Sequence, residues 1–597
     1  MPDTPSPFRF SPRPNRAADI RWREWGPKAF DEALESGKPI LLSLSAVWCH
    51  WCHVMDETSY SDPGVIEYVN EHYVPVRVDN DQRPDINARY NMGGWPTTAF
   101  LTPEGEVLAG ATYVPPEQML DLLPKVFVYY QGNREEVAGK VEAMRQRRAA
   151  GDAQRGALSP DIFDAVLRTV AEAYDPVFGG LGDAPKFPHT DALDLLLYAY
   201  RRNHDPDLLH MARKTLESMA RGEVFDHEWG GFFRYATRRD WSEPHYEKML
   251  EDNANLLRNF LALCRATGDQ AHADIARRIV DYMEAKLRDK GAGFFYGSQD
   301  ADEEFYKLAA AEREKQPEPY IDRTCYTSWN AMAASAYLEA SWTLDRPDLR
   351  DAALGALAFL WDRCREAGGG MFRFHDGTAP QVAGLLGDQA YTARALLDAH
   401  EVTGDSLYLE RALELTGFLL DRFHDPAGGF FDTWDQNESL GRLAERQKSV
   451  LDNAACADVL IRLHHLTRDE QYAEAARATL EAFVPAYPQL GYFAAAYARQ
   501  VDALLNPPAA VNIVGDAAEE STATLHSAAL RLDLPSRVVQ VLHPQRDAAR
   551  LEALFLPPAP APAAYVCLDA MCSAPVTRPE ELVEAVQAMR TAAQPQT

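Results

Sequence analysis

The chain has 597 residues and a formal net charge of −29 at pH 7, because 89 acidic side chains outnumber 60 basic ones. A surface of this sign repels nucleic-acid phosphates and anionic lipids, so neither is expected as a partner. The length is too great for one compact core and predicts several domains. No apolar run is long enough to span a membrane, and residues 1–19 lack the apolar core of a secretory signal. A cytoplasmic location is therefore expected.

The first predicted elements are a helix, a strand and a second helix. Residues 27–36 have apolar side chains at helical spacing and end at Gly37. Residues 39–46 form an apolar run that predicts a buried strand. Cys49 and Cys52 follow within Trp-Cys-His-Trp-Cys, where the next helix is expected to begin. A Cys-x-x-Cys pair between a strand and a helix is typical of a thioredoxin-like redox domain.

The expected chemistry of this pair follows from its place at a helix start. A sulfur there faces unpaired N–H groups and the positive end of the helix dipole, which favour thiolate. Cys49 is predicted to attack and Cys52 to resolve, with His50 favouring the thiolate and Trp51 contacting the partner. A buried structural thiol pair is one alternative. Half a zinc site that includes His53 is another, but no second ligand pair completes it, so no metal or other cofactor is predicted.

The rest of the first domain, about residues 20–150, fits the same fold. A helix over 63–72, a strand over 73–78, a hairpin ending near 111 and a long charged helix over 116–149 are predicted. Trp95 and Pro96 immediately precede the first strand of that hairpin. Thioredoxin folds carry a cis-proline there, facing the disulfide, so both residues join the candidate site. A trans-proline at the strand start is the alternative.

Several motifs together carry a family resemblance: residues 48–55, 78–79, 83–85, 93–96 and 101–103. They resemble the spermatogenesis-associated thioredoxin-like family, whose long, poorly characterised members occur in bacteria and animals. The resemblance implies a thioredoxin-like domain joined to a six-hairpin (α/α) barrel. The sequence departs from the family at 56–60 and 80–82, which flank the Cys-x-x-Cys motif and leave both thiols in place.

Residues 151–160 are small and polar and predict a linker. From 161 to 505, amphipathic helices alternate with turns in which glycines precede aromatic residues, and this signal occurs six times. Six helical hairpins predict an all-α (α/α)6 toroid with a central pocket. Glycosidases, sugar epimerases and prenyltransferase-like proteins share such toroids, so the fold does not fix the chemistry.

Candidate barrel residues lie at the glycine turns and at the starts of inner helices. Residues 244–253 resemble a family segment in which His245, Glu247 and Asp252 are predicted to transfer protons. Lys248 is predicted to hold a carboxylate or phosphate.

Two further blocks resemble the family. In the first, Asp300 and Asp302 lie two positions apart and are predicted to share a sugar or cation, with Gln299 beside them. In the second, Trp329 is suited to stacking on a sugar ring. Polar residues at later helix starts complete the predicted substrate-binding set: Asn330, Asp388 and Asp452. The alternative for such residues is a helix cap or a solvated loop.

The C-terminal segment, residues 506–597, predicts three strands and a closing helix, a small α/β appendage. Cys567 and Cys572 resemble the family's C-terminal signature before Pro575-Val576-Thr577. Four intervening residues fit no standard thioredoxin geometry, so a structural role is expected for this second pair.

Three functions remain open from the sequence. The first is a thiol–disulfide oxidoreductase whose partner is a disulfide-bearing protein. The second is a carbohydrate-active barrel, of epimerase or glycoside hydrolase type, acting on a small sugar with the thioredoxin domain as lid or regulator. Both sugar chemistries need paired acid–base groups. The third is a non-catalytic binding scaffold.

Overall fold

The computed structural model describes residues 8–149, 155–436, 439–557, 562–569 and 571–593. Of the predicted linker, residues 151–154 lie outside these ranges. The described chain divides into two compact units. The first contains the N-terminal residues together with 299–302 and the described part of 435–447, and the second contains the remainder.

The first unit is an α/β domain whose elements follow the predicted order, with two helices more than the sequence indicated. They are α1 (Pro27–Ser36), β1 (Ile40–Ser45), α2 (His50–Glu57), α3 (Pro63–His72), β2 (Val74–Asp79), α4 (Pro84–Tyr90), β3 (Thr97–Leu101), β4 (Val107–Ala111), α5 (Pro116–Gly132) and α6 (Arg134–Ala149). The sheet order is β2-β1-β3-β4, with β1 parallel to β2 and antiparallel to β3. The expected thioredoxin-like fold is confirmed.

The single long helix predicted over 116–149 is wrong, because two helices meet at Asn133. The Asn133 side chain donates to the Tyr129 carbonyl at 2.8 Å, so it satisfies a terminal carbonyl of α5 instead of continuing the helix. Helix α4 was missed, although Pro84 stands at its first position, where proline favours helix initiation.

Strand β1 is buried on both faces, which explains its continuous apolar sequence. Leu42 and Leu44 pack with Phe30 of α1 on one face. Leu41 packs with Met55 of α2 on the other. This packing fixes the end of β1, and with it the loop that carries the first cysteine pair.

A distant segment completes the first core. Leu443, in the segment 435–447, is buried in the same cluster as Trp25 and Phe30. The Arg442 N–H donates to the Tyr90 hydroxyl at 2.8 Å, which in turn donates to the Gly105 carbonyl at 2.7 Å. The first unit is therefore built from sequence segments about 300 residues apart.

The second unit is rich in helices of 11 to 18 residues, with a few short ones. They are α7 (Asp161–Ala173), α8 (Thr190–Asn203), α9 (Pro206–Arg221), α10 (Leu250–Thr267), α11 (Gln270–Tyr282), α12 (Glu303–Tyr306), α13 (Ala310–Arg313), α14 (Thr327–Thr343), α15 (Pro347–Arg363), α16 (Leu386–Thr403), α17 (Ser406–Arg422), α18 (Val450–Thr467), α19 (Glu470–Glu481), α20 (Tyr487–Leu490) and α21 (Ala495–Leu505). Across the described ranges, no helix is both long and apolar enough to cross a bilayer.

These helices form two concentric layers. In the described part of the chain, six inner helices pack in the cyclic order α8, α10, α14, α16, α18, α21, and α21 packs back against α8. Each inner helix also packs against one outer helix of the set α9, α11, α15, α17, α19 and α7. The ring is closed, so the predicted (α/α)6 toroid is confirmed.

Short strands lie in the connections between the helices. They are β5 (Tyr235–Ala236), β6 (Pro244–His245), β7 (Lys248–Met249), β8 (Ser298–Gln299), β9 (Ile321–Asp322), β10 (Cys325–Tyr326), β11 (Phe372–His375) and β12 (Pro380–Ala383). Two of them, β7 and β10, immediately precede inner helices, so they fix the backbone where those helices begin.

Buried amides explain the repeated glycine–aromatic signal. Asn330, the fourth residue of α14, accepts the Phe295 N–H at 2.7 Å and donates to the carbonyls of Phe295 and Tyr326. The fourth residues of three other inner helices make the equivalent three bonds, two to a turn residue and one to the residue just before their own helix: Asn253, Gln389 and Asn453. At Gly231, with φ +74°, a Cβ would lie 2.5 Å from the Tyr282 ring, so only glycine permits this approach.

The C-terminal segment is a second small α/β sheet, as expected. Its elements are β13 (Ala509–Val514), α22 (Glu520–Leu530), β14 (Arg537–Leu542), α23 (Ala548–Ala553), β15 (Ala563–Leu568), β16 (Met571–Cys572) and α24 (Leu582–Ala593). The order β14-β13-β15-β16, with β13 parallel to β14 and antiparallel to β15, repeats the strand order and directions of the first sheet.

Replacing Asn330 tests the turn-closing amide. Asn330→Leu leaves the buried Phe295 N–H and two carbonyls without their partner, so we expect unfolding free energy to fall by about 2–4 kcal/mol. Asn255→Leu, on the inner helix α10, is the matched control and should cost less than about 1 kcal/mol. Urea unfolding followed by circular dichroism measures both. Equal losses in the two variants would show that the amide–turn bonds add nothing.

Candidate functional site

The first cysteine pair lies where β1 gives way to α2. Cys49 is the N-cap of α2, and its Sγ accepts the N–H of Cys52 at 3.2 Å. The two cysteines form a disulfide and are only 4% and 2% exposed. Trp51, between them, is 45% exposed. The surface next to the disulfide is therefore formed mainly by the indole of Trp51, and little of either sulfur is exposed.

The neighbouring tryptophans are held by hydrogen bonds inside the domain. Trp48 donates to the buried Asp81 carboxylate at 2.6 Å, and its ring packs edge-on against Trp95 at 5.9 Å. Trp95 donates to Asn87 at 3.1 Å. The Trp95–Pro96 peptide bond is cis. These hydrogen bonds and the ring contact hold both indoles in fixed positions in the first unit.

His53 follows the second cysteine, and its only role indicated by the sequence is that of a metal ligand. Burial, and then the positive charge of Arg9, lower the pKa of His53 to about 4, although its hydrogen bond to the Val47 carbonyl opposes this. The neutral ring donates from Nε2 to that carbonyl at 3.1 Å. Asp300 Oδ2 lies 3.9 Å from the same nitrogen.

The segment 299–302 therefore belongs with the first unit, although the sequence analysis grouped it with the barrel candidates. Within it, Gln299 is fully buried, Asp300 is nearly so and Asp302 is exposed. Asp300 and His53 are close in space but far apart in sequence, so no local sequence pattern could predict their contact.

A buried ion pair supports α2 and was missed from the sequence. Asp56 is fully buried and accepts two bonds from Arg77 of β2, at 2.8 and 2.9 Å. The Ser11 N–H donates to the same carboxylate at 3.1 Å. Because Asp56 lies four residues after Cys52, the two share a face of α2. An acid on the apolar face of a helix was the available signal.

Two carboxyl groups stand just before and within the start of α10. Glu247 is buried, and its Oε1 lies 3.7 Å from His245 Nδ1. Burial alone would raise the pKa of Glu247, but the nearby His245 imidazole and the charge of Arg234 lower it. Burial raises the pKa of Asp252 to about 6, with Glu247 adding to the effect and Arg234 opposing it. Opposite shifts in neighbouring carboxyls are characteristic of acid–base pairs.

An aromatic ladder leads to this pair. Phe187 stacks on Tyr235 at 4.5 Å, and Tyr235 stacks on His245 at 4.4 Å. Burial and the nearby Glu247 carboxylate raise the pKa of Tyr235 to about 12. Phe187 is partly exposed. The sequence did not indicate this stack of rings.

Lys248 is directed into the protein. Its ammonium donates to Asp226 at 2.6 Å and to the Gly230 carbonyl at 2.9 Å, and it lies 4.2 Å from the Tyr282 ring centre. Arg313 donates to both carboxylate oxygens of Asp226. Equivalent lysine–aspartate pairs close two other turns: Lys186 with Asp175 and Lys448 with Asp425. In the structure Lys248 closes its glycine turn.

The remaining barrel candidates occupy the starts of α14, α16 and α18. Asp388 is buried, and its Oδ1 accepts from Arg373 and from the Ser328 N–H, both at 3.1 Å. Its Oδ2 has no hydrogen-bond partner among the described residues. Burial, reinforced by Asp388, raises the pKa of Asp452 to about 6. Trp329 is buried against Tyr326, at 4.6 Å between ring centres.

A cavity of about 180 Å³ lies among the inner helices. None of the predicted barrel residues is in its lining. Glu251 and Leu451, the chain neighbours of Asp252 and Asp452, are part of it. Charged residues that the sequence analysis missed are also in the lining: Asp191, Asp194, Arg258, Arg394 and Arg499. The sequence feature that could have identified them is a charged side chain on an inner helix whose other residues are mostly apolar.

Comparisons with known proteins agree with the fold. The family model Thioredox_DsbH, described as "Protein of unknown function, DUF255", matches residues 8–148. Spermatogenesis-associated protein 20 of Homo sapiens is 25% identical, in an alignment covering 94% of this chain and 89% of that protein. Disulfide bond reductase DsbH of Chlamydia pneumoniae is 26% identical over 115 residues, covering 17% of this chain and 69% of that protein.

Among solved structures, cellobiose 2-epimerase from Spirochaeta thermophila DSM 6192 is 18% identical with a TM-score of 0.47, covering 61% of this chain and 98% of that one. The family resemblance predicted from the motifs is confirmed: along most of its length the chain is similar to the spermatogenesis-associated proteins, and its N-terminal domain matches a DsbH-type thioredoxin family model.

Proposed function

We propose that the first unit is a thiol–disulfide oxidoreductase. The observation that carries the proposal is the position of Cys49, whose Sγ caps α2 and accepts the N–H of Cys52. A thiolate formed there gains a charge-assisted hydrogen bond and the field of the helix start. The similarity to disulfide bond reductase DsbH of Chlamydia pneumoniae supports the same function.

The reaction begins with the reduced pair. The Cys49 thiolate attacks one sulfur of a partner disulfide, and the other partner sulfur leaves as a thiolate. Cys52 then loses its proton to solvent and attacks Cys49 Sγ, which releases the second partner sulfur. Two electrons pass to the partner, and the Cys49–Cys52 disulfide forms. An external dithiol restores the reduced pair.

The surface around the pair suits a folded or extended protein partner. The sulfurs themselves are nearly buried, so attack needs a disulfide that can reach into a narrow opening. The exposed indole of Trp51 offers an apolar contact beside that opening.

Cysteine variants test the redox proposal. Cys49→Ser removes the attacking sulfur, so we expect reduction of a test protein disulfide to be lost. Cys52→Ser keeps attack but removes resolution, so a mixed disulfide should accumulate and appear as a mass increase. Cys264→Ser, a free cysteine in α10, is the matched control and should keep the parent rate. Full activity in Cys49→Ser would exclude the proposed mechanism.

A second candidate function is a carbohydrate-active barrel, with the first unit as lid or regulator. Two observations favour it: the opposite pKa shifts of Glu247 and Asp252, and the aromatic ladder that ends at His245. Glu247 is suited to act as a base and Asp252 as an acid near neutral pH. Epimerisation or hydrolysis of a small sugar would use such a pair.

Activity measurements separate this candidate from a non-catalytic scaffold. Reducing disaccharides are incubated with the full chain, and epimerised and hydrolysed products are separated by chromatography. Glu247→Gln should lower kcat at least 100-fold, whereas Phe187→Ala should mainly raise KM. Asp183→Asn, an exposed acid, is the control and should leave both unchanged. Absence of turnover on every sugar would favour the scaffold.

The raised pKa of Asp452 makes stability depend on pH. The folded carboxyl keeps its proton up to about pH 6, whereas the unfolded chain releases it near pH 3.9. The unfolded state binds fewer protons in that window, so stability falls as pH rises through it, by up to about 3 kcal/mol. Asp452→Asn should therefore be more stable than the parent at pH 7.5 and nearly equal at pH 3.5.

Thermal unfolding at the two pH values measures this difference. Asp421→Asn replaces an exposed aspartate and should match the parent at both. A gain of the same size at pH 3.5 and 7.5 for Asp452→Asn would rule out the linkage to ionisation.

A further inference from the structure

The second cysteine pair bridges the hairpin of the C-terminal sheet. Cys567 of β15 and Cys572 of β16 stand directly opposite each other and form a disulfide. Cys567 is 1% exposed and lies in an apolar cluster with Leu542 and Tyr565. Cys572, on the two-residue edge strand, is exposed. One end of the disulfide therefore faces the core and the other faces solvent.

A line of hydrogen bonds ends on the buried sulfur. Asn512 Nδ2 donates to Cys567 Sγ at 3.4 Å, within the range for a sulfur acceptor. Gln540 Nε2 donates to Asn512 Oδ1 at 2.6 Å, and the Arg550 guanidinium donates to Gln540 Oε1. Both amides are about 1% exposed. Every donor points towards the sulfur, and the line begins at a cation.

The position of these amides is costly unless the sulfur is a good acceptor. Asn512 and Gln540 stand on β13 and β14, whose other residues, apart from Arg537 at the start of β14, are Ala, Val, Ile and Leu. Burying amides there costs free energy that only good hydrogen bonds recover. A disulfide sulfur is a weak acceptor, whereas a thiolate accepts a strong, charge-assisted bond. Aligned donors also polarise one another.

We propose that Cys567–Cys572 is a second redox-active disulfide, reducible in the folded protein by a dithiol such as that of a Cys-x-x-Cys protein. The proposal differs from the purely structural role that the sequence led us to expect. The line of donors from Arg550 to Asn512 stabilises the charge that appears on Cys567 when the bond opens. This inference does not rest on the function proposed for Cys49 and Cys52.

The exposed sulfur sets the order of the steps. A thiolate of the reductant attacks Cys572 Sγ, the sulfur–sulfur bond breaks, and its electron pair leaves on Cys567, where Asn512 donates to it. The second thiol of the reductant, after losing its proton, attacks the first reductant sulfur and releases Cys572. The reductant becomes a disulfide, and the protein pair gains two electrons and two protons from the reductant and solvent.

The test uses the full chain with Cys49→Ser and Cys52→Ser, so that the first pair cannot contribute. The protein is equilibrated without denaturant in buffers with increasing ratios of reduced to oxidised dithiothreitol. Free thiols are then alkylated, and the peptide that contains residues 567–572 is analysed by mass spectrometry. We expect a reversible two-electron titration of this peptide. A disulfide that opens only in denaturant would overturn the proposal.

A second variant distinguishes stabilisation of the thiolate from simple exposure. Asn512→Leu, in the same background, removes the donor to Cys567 and should favour the disulfide about tenfold, which is about 30 mV. Asn506→Leu removes an amide that bonds to Asp502 instead and should leave the midpoint unchanged. Circular dichroism checks that both variants are folded. An unchanged midpoint in folded Asn512→Leu would show that the line of donors does not act on the sulfur.

Discussion

The helical ring depends on buried amides that join its two layers. In four of the inner helices, the fourth residue makes two hydrogen bonds to the backbone of a glycine turn and a third to the carbonyl of the residue just before its own helix. The turn carries aromatic residues into the core, and its glycines allow the backbone to approach the helix. Since each turn leads from an outer helix towards the next inner one, the amide fixes both the position of the helix start and the side chains around it.

This constraint also explains why carboxyl groups with shifted pKa values lie near the starts of the inner helices. Once the turns and helix starts are fixed, neighbouring carboxyls are held in a partly dry environment, and burial moves their proton affinities away from solution values. The pKa values of Glu247 and Asp252 are shifted in opposite directions, because His245 lies 3.7 Å from Glu247 and lowers its pKa, whereas burial and the Glu247 charge raise the pKa of Asp252. The same closeness gives Lys248 and Asn330 partners within the protein, which the sequence could not distinguish from ligand contacts.

The sequence predicted what local patterns encode. The glycine–aromatic period gave the number of hairpins, and the Cys-x-x-Cys between strand and helix gave the first domain. It could not predict contacts between distant segments: Asp300 beside His53, Arg77 beneath Asp56, or Asn512 against Cys567. Such contacts depend on strand register and on helix packing, and single residues carry no signal for them. Asn133 shows the local limit, because an amide can interrupt a helix or continue it.

The segment around Leu443 has a consequence for synthesis of the chain. The core of the first unit includes this residue, so the unit lacks part of its packing until residue 447 has been made. At about 5–20 residues per second, the ribosome needs roughly 15–60 s to reach it after residue 150. During that interval the apolar surface that receives Leu443 is exposed to solvent, which makes the unfinished domain more prone to aggregation.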